Sequence, residues 1–140
     1  MREIIIISIL CSLLSSNSNV GIVKSIEGKV CVKRADKILN LDIGSILKQD
    51  DIIITKSSSA IGITFEDGSR VVLGENSIFN INRYIFKPAK NSYDIDLKLI
   101  KGKALFNSGK IGKMAPEAVK FEIPEGVVGI RGTEFIVEVD

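Results

Sequence analysis

Apolar residues along most of this chain fall in short runs, many of them alternating with polar residues, and this is the pattern of β-strands. From Val20 onward the runs are rich in Ile and Val, and each is closed by Gly, Asn, Asp or Ser. We therefore predict an all-β fold, either an antiparallel β-sandwich or a rolled β-sheet of about ten to twelve short strands. The predicted strands span 20–25, 29–34, 38–42, 51–55, 60–66, 70–74, 77–86, 93–101, 103–109, 119–123, 126–130 and 133–139.

The segment "AIGITFEDGSRVVL" gives the clearest local prediction. Asp67-Gly68 lies between two alternating runs and supplies the positive φ angles that a two-residue hairpin turn requires. The core-facing residues of this hairpin are predicted to be Ile61, Ile63, Phe65, Val71 and Leu73. Further along, we predict a Lys-Gly-Lys turn at 101–103, and the proline and polar residues of 86–93 predict a surface loop.

The first residues differ from the rest and predict an export signal. Met1-Arg2-Glu3 precedes the apolar run "IIIISILCSLL", which ends at Leu14 and is shorter than the about 20 residues that span a bilayer. Small residues before Asn19 suit a cleavage site, so we predict a signal peptide over 1–18 and one mature domain over 19–140. A buried first strand is the other interpretation of this run.

Composition narrows the function classes. The chain has a net charge of +2 and scattered lysines, so nucleic acid is not an expected partner. The absence of histidine removes the usual general base and the commonest zinc ligand. Cleavage after residue 18 would leave Cys31 as a free thiol. Lys24, Lys29, Lys33 and Lys37 are expected to be solvated, and we predict no catalytic residue, cofactor or metal site.

Two acidic pairs, Asp50-Asp51 and Glu66-Asp67, invite a metal-site interpretation. Neighbouring strand residues point to opposite faces, so neither pair converges by itself. We interpret both as turn chemistry, with Asp50 in a left-handed conformation and Asp67 in the hairpin turn.

The segment "GVVGIRGTEF" combines three glycines with one arginine and permits two interpretations. A phosphate loop requires a helix after the glycines, whereas the residues after Thr133 alternate as in a strand. We favour a structural corner in which Gly129 and Gly132 allow a bend, with Arg131 bonded to nearby carbonyls or an acid.

Five pieces of the sequence, in order, resemble one known family, the FecR domain of periplasmic regulators of the iron dicitrate transport type. The pieces are "IEGKV", "LNLDIGSILKQDDIIIT", "SSAIGITFEDGSRVVLGENSIFNI", "LIKGKALF" and "VVGIRGTEFIVEV", from about Val20 to Val139. The most specific of them contain the motif residues Asp67, Gly68, Ser69, Gly129, Arg131, Gly132 and Thr133. The family pattern has Gly-Asp where this chain has Asp50-Asp51.

The resemblance implies an all-β, non-enzymatic domain that relays a receptor's state by protein contact, and motif residues that mark the fold and bind no ligand. The 140 residues include no anti-sigma segment and, after residue 18, no run that could span a bilayer. Signalling would therefore require an envelope partner such as a membrane-bound regulator or receptor.

Two hypotheses of different classes follow. The first is an exported protein-interaction or signal-relay domain that uses its free edges or loops, with its oligomeric state left open. The second is a small-ligand module, binding sugar or cell wall on the concave sheet face. Aromatic residues would line such a face, and the chain has no Trp and only Tyr84 and Tyr93.

Overall fold

The structure is a computed structural model that describes residues 19–130 and 134–140. The export-signal prediction for residues 1–18, and the motif residues Arg131, Gly132 and Thr133, lie outside the described residues. Within these described residues, one short α-helix, α1 (Ile111–Met114), accompanies twelve strands. The strands are β1 (Asn19–Glu27), β2 (Val30–Arg34), β3 (Lys37–Asn40), β4 (Ile46–Lys48), β5 (Ile52–Thr55), β6 (Ala60–Phe65), β7 (Arg70–Leu73), β8 (Ile78–Lys87), β9 (Ser92–Asn107), β10 (Val119–Ile123), β11 (Gly126–Val128) and β12 (Glu134–Val139).

These strands form one continuous sheet that curls into a half-barrel, which confirms the all-β, rolled-sheet prediction. The order along the sheet is β3-β2-β5-β8-β9-β7-β6-β1-β4, with β10, β11 and β12 added along the other side of β9. Pairing is antiparallel except between β9 and β10, which run parallel. Strand β9 belongs to both halves of the sheet, because its first part pairs with β8 and its last part with β7.

The prediction of two strands joined by a turn at 101–103 is wrong. Strand β9 runs through Gly102 without a break and bends there, with Gly102 at φ +101°. A Cβ on Gly102 would lie 2.1 Å from the Ser77 hydroxyl oxygen, so the bend brings the backbone against Ser77. The chain does not change direction as it would in a hairpin turn, and the strand continues past the bend. Glycine permits this conformation because it has no side chain.

Hydroxyl groups satisfy the backbone at this bend. Thr55 donates to the Gly74 carbonyl at 2.7 Å and accepts from the Ser77 amide at 2.8 Å. The Ser77 hydroxyl accepts from the Lys103 amide at 3.1 Å and lies 2.9 Å from the Gly74 carbonyl, to which it donates. Buried backbone groups need such partners, so these hydroxyls hold the two halves together where the ladder is interrupted.

The core fills the concave side of the curled sheet. Four aromatic rings from β8, β9, β10 and β12 meet there, with centroid distances of 5.3 to 6.2 Å. These rings belong to Phe79, Phe106, Phe121 and Phe135. Burial of apolar surface on this shared inner face is the main force that holds the curl closed.

The predicted β6–β7 hairpin is present, and its register places Ile61 opposite Leu73 and Ile63 opposite Val71, as expected. Its loop differs from the prediction. The Phe65 amide bonds to the Ser69 carbonyl at 2.8 Å and the Gly68 amide to the Phe65 carbonyl at 3.0 Å, which makes a three-residue loop. Only Gly68 has a positive φ, +87°, because this loop type needs a single left-handed residue.

Other local differences are smaller. The sequence pattern missed β4 because that strand has only three residues. The predicted 86–93 loop is a tighter hairpin connection, since Phe86 and Lys87 extend β8 while Ser92 and Tyr93 begin β9. The short helical turn α1 was not predicted either.

Candidate functional site

Metal-binding chemistry is sparse on this molecule. Within residues 19–130 and 134–140, no group of three or more Cys, Asp and Glu side chains is arranged to hold a metal ion. In the same ranges, no helix is long and apolar enough to cross a membrane. The remaining candidate features are buried polar groups and free sheet edges.

The Asp67 cluster is a buried polar group made by the side chains of Asp67, Ser69 and Tyr84 with the amides of Gly109 and Ile111. The three side-chain residues are at most 3% exposed. The Asp67 carboxylate accepts hydrogen bonds from the Ser69 amide at 3.1 Å, the Ser69 hydroxyl at 2.6 Å, the Tyr84 hydroxyl and the Ile111 amide at 3.4 Å. The Ser69 hydroxyl accepts from the Gly109 amide at 2.8 Å. A buried carboxylate requires such donors, and here they come from three separate chain segments.

Tyr84 is a donor in this cluster and has no access to a ligand. Its ring stacks on Phe65 with a centroid distance of 4.9 Å. Burial raises the pKa of Tyr84 well above its ordinary value, and the charge and hydrogen bond of Asp67 raise it further. Burial also raises the pKa of the neighbouring Glu66, with a second contribution from the charge of Asp67. Tyr84 therefore remains protonated and donates to Asp67 at physiological pH.

Gly109 closes the cluster from the side of α1. A Cβ on Gly109 would lie 2.3 Å from the Asp67 carbonyl oxygen and 2.4 Å from the Ser69 nitrogen. The Lys110 amide also bonds to the Asp67 carbonyl at 2.9 Å. The backbone after β9 thus packs directly on the hairpin loop and leaves no room for a bound molecule between them.

The glycine-rich segment is only partly described. Gly129 follows β11, has a φ outside the left-handed region and has no atom within 4 Å of where a Cβ would stand. The interpretation of Arg131, Gly132 and Thr133 as a structural corner stays a prediction. After them comes strand β12, so the helix that a phosphate loop needs does not follow.

Asp51 and Arg34 form a partly buried ion pair that sequence reasoning missed. Asp51 is fully buried, and its carboxylate accepts from the Arg34 Nε at 2.8 Å and Nη2 at 2.7 Å. The hydrogen bond to Asp51 raises the pKa of Arg34, while burial acts in the opposite direction. Asp50 has φ +73°, as expected for a left-handed turn residue. No local sequence pattern indicates this pair, because Arg34 is on β2 and Asp51 directly precedes β5, so the two residues are far apart in sequence.

This ion pair also covers the free edge of β4. The Arg34 Nη2 donates to the Ile46 carbonyl at 3.1 Å, and the Lys48 amide donates to the Asp51 carboxylate at 2.8 Å. Strand β4 pairs with β1 on its other side. Unpaired edge groups invite another strand, and here the two charged side chains occupy them.

The comparison with known families decides where this arrangement belongs. The model of the family described as FecR protein matches residues 51–140, which comprise β5 to β12 and the Asp67 cluster. The chain belongs to the FecR family. No curated protein and no solved structure matches it. The matched region is shorter than the resemblance over Val20 to Val139, since β1 to β4 lie before it.

FecR family membership gives the coarse function, that of a regulatory, signal-relay domain of a type that is typically periplasmic. The concave face of this FecR domain is filled by the aromatic core, with Phe79, Phe106 and Phe121 at most 1% exposed. The small-ligand hypothesis placed its site on that face. The accessible features are therefore on the convex side and at the strand edges.

Exposed apolar side chains of the FecR domain concentrate at the ends of the sheet. Ile38 is on the terminal strand β3, Ile43 precedes β4, Val127 is on β11 and Ile136 is on β12, and each is more than half exposed. Apolar side chains at free sheet edges are more favourably placed against another protein than in water, so these positions are candidate contact surfaces. On the convex face, Ile136 is opposite Leu105, which is opposite Val72.

Proposed function

We propose that this protein is an exported, non-catalytic FecR domain that works as a protein-interaction or signal-relay module in the cell envelope. One observation supports the proposal most directly: the polar motif residues and the exposed apolar residues lie in different parts of the domain. The motif residues Asp67 and Ser69 are buried and bonded within the fold, whereas the exposed apolar residues are at sheet ends. A buried motif supports a role in holding the fold, and exposed edges support binding of a partner.

The proposal includes residues 1–18 as the export signal and a membrane-bound regulator or receptor as the partner. Regulation of iron transport is the context that the family type suggests. FecR membership and the short apolar run before Asn19 support this part of the proposal.

Site-specific photocrosslinking in the native host tests this function. A crosslinking amino acid replaces Ile43, Val127 or Ile136 in the full chain, and adducts from the envelope fraction are identified by mass spectrometry. We expect at least one position to capture a defined envelope protein, and a crosslinker at the exposed Lys90, in the turn between β8 and β9, to capture none. Recovery of the chain in the cytoplasm, or of no envelope adduct at any of the three positions, would contradict the proposal.

A further inference from the structure

Among the strands that have only one neighbour in the described parts of the chain, β12 is the longest. In the described parts of the chain, four strands end the ladder with a single partner each, namely β3, β4, β11 and β12. They have four, three, three and six residues respectively. The edge of β4 is covered by Arg34 and Asp51, and β3 and β11 are too short to form a long ladder. The six residues of β12 are long enough to pair with a full strand.

The backbone of β12 directs a defined set of groups outward. Lys103 turns both its amide and its carbonyl toward Ser77 and Gly74, on the β7 side of β9. Backbone directions alternate along a strand, so Ala104 and Phe106 point toward β12 and pair there with Val137 and Phe135. The amides and carbonyls of Glu134, Ile136 and Glu138 therefore point to the free edge.

The side chains of the same three residues alternate charge and apolar surface on the convex face. Ile136 is 63% exposed, and the carboxylates of Glu134 and Glu138 flank it. On the concave face, Phe135 and Val137 pack against the core and remain partly exposed. On the convex face, a strand added here would extend the row of Ile136, Leu105 and Val72. On the concave face, it would cover the side chains of Phe135 and Val137.

We propose that the free edge of β12 binds an extended segment of a partner protein in which two basic residues flank three apolar ones. The basic side chains would stand opposite Glu134 and Glu138 and the central apolar side chain opposite Ile136. Opposite charges directly across a pair of strands are favourable, and like charges are unfavourable. This deepens the proposed function and rests on it, because it states which surface meets the partner and what chemistry the partner carries.

The charges also disfavour a second copy of this chain as the occupant. An antiparallel pair of β12 strands centred on Ile136 would place Glu134 of each copy opposite Glu138 of the other. Two such pairs of like charges would oppose the added hydrogen bonds. A strand with basic residues at those positions converts both contacts into attractive ones.

Binding of synthetic peptides to the chain that contains residues 19–140 tests the inference. The probe peptide is Ser-Lys-Val-Val-Val-Lys-Ser, and its control is Ser-Glu-Val-Val-Val-Glu-Ser. At low ionic strength we expect the basic peptide to bind about tenfold or more tightly than the acidic one, measured by fluorescence anisotropy. Added salt should reduce this preference.

Two variants locate the site. Ile136→Pro removes an amide that points to the free edge, which a strand tolerates there, and should weaken binding at least about tenfold. Its control, Ile136→Val, keeps the amide and should bind within about twofold of wild type. If Ile136→Pro does not fold by circular dichroism, the charge-reversed variant Glu134→Lys with Glu138→Lys decides, since it should prefer the acidic peptide.

Equal affinity for both peptides, or unchanged binding by a folded Ile136→Pro variant, would overturn the inference. So would a concentration-dependent dimer that Ile136→Pro abolishes, because the occupant would then be a second copy. An envelope crosslink that persists in the Ile136→Pro variant would show that the free edge of β12 is not the contact surface. That result would not contradict the proposed function. Peptide binding without any envelope crosslink would instead refute the proposed function.

Discussion

At the residue scale, the stability of the Asp67 cluster depends on how many donors surround one buried carboxylate. Each of its hydrogen bonds replaces water that the fold has removed. The Tyr84 hydroxyl and the Ile111 amide come from segments distant in sequence, so the cluster also fixes how those segments meet. Removing a donor leaves a charged oxygen unsatisfied, which is more unfavourable than the loss of an ordinary hydrogen bond.

Tyr84→Phe should therefore lower the free energy of unfolding by about 1.5–3 kcal/mol at neutral pH, measured by urea denaturation. The pKa of Tyr84 is raised in the folded protein, so its contribution is complete below the ordinary tyrosine pKa. At higher pH the unfolded chain releases this proton while the folded chain retains it, so wild-type stability falls. The difference in the free energy of unfolding between wild type and Tyr84→Phe should therefore become smaller above about pH 10.

Tyr93→Phe is the matched control. Tyr93 is partly buried on β9 and packs on Phe86 with a centroid distance of 5.7 Å. Loss of its hydroxyl should change stability by less than about 0.5 kcal/mol. An equal loss in both variants would show that the buried Tyr84 hydroxyl contributes no more to stability than the hydroxyl of Tyr93.

At the element scale, strand β9 determines how the sheet closes. It pairs with β8 and β10 in its first part and with β7 and β12 in its last part. A straight strand of this length would hold both halves in one plane. The bend at Gly102, with Ser77 packed against it, turns one half toward the other and encloses the core.

Gly102→Ala should destabilise the protein by more than about 3 kcal/mol, because it adds steric collision to left-handed strain. Its Cβ would meet the Ser77 hydroxyl at 2.1 Å and the Ser77 Cα at 2.5 Å. Gly44→Ala separates the two effects, since Gly44 has φ +91° and nothing within 4 Å of the added atom. We expect Gly44→Ala to lose only about 1–2 kcal/mol. Thermal unfolding of both variants measures the difference, and equal losses would exclude a steric role for Ser77.

At the scale of the whole molecule, the region matched to the FecR family does not contain the whole core. Strand β1 lies between β4 and β6, and β2 lies between β3 and β5, although both precede residue 51. Strands β1 and β2 contribute Val20, Val23 and Val32 to the common core cluster, and β4, which also precedes residue 51, contributes Leu47. Without them, β5 and β6 would become new edges beside an open core.

A fragment of residues 51–140 should therefore fail to fold, whereas residues 19–140 should fold. Removal of several fully buried aliphatic side chains exceeds the about 5–15 kcal/mol by which a domain is stable. Far-UV circular dichroism and the dispersion of amide signals in NMR spectra distinguish the two. A cooperatively folded 51–140 fragment would show that β1 to β4 are accessory to the fold.

Much of the fold was predictable because it follows from local patterns. The β6–β7 register follows from alternation on both sides of Asp67-Gly68, and strand β10 has the predicted bounds 119–123. Simple alternation from Phe79 and Ile81 would place Arg83 on the inner face, whereas the structure buries Tyr84. The register shift between Ile81 and Arg83 changes which residues of β8 face inward, and only the pairing with β9 reveals it.

The sequence by itself determined the all-β class, most of the strand positions, the hairpin and the FecR resemblance, because alternation and turn residues act over a few neighbours. Tertiary structure alone decided that β9 is one bent strand, that Asp51 pairs with Arg34, and that Asp67 meets Tyr84 and the backbone after β9. These contacts join residues 17 to 44 positions apart. Their partners are set by how the sheet curls around its core, and no local pattern encodes that distance.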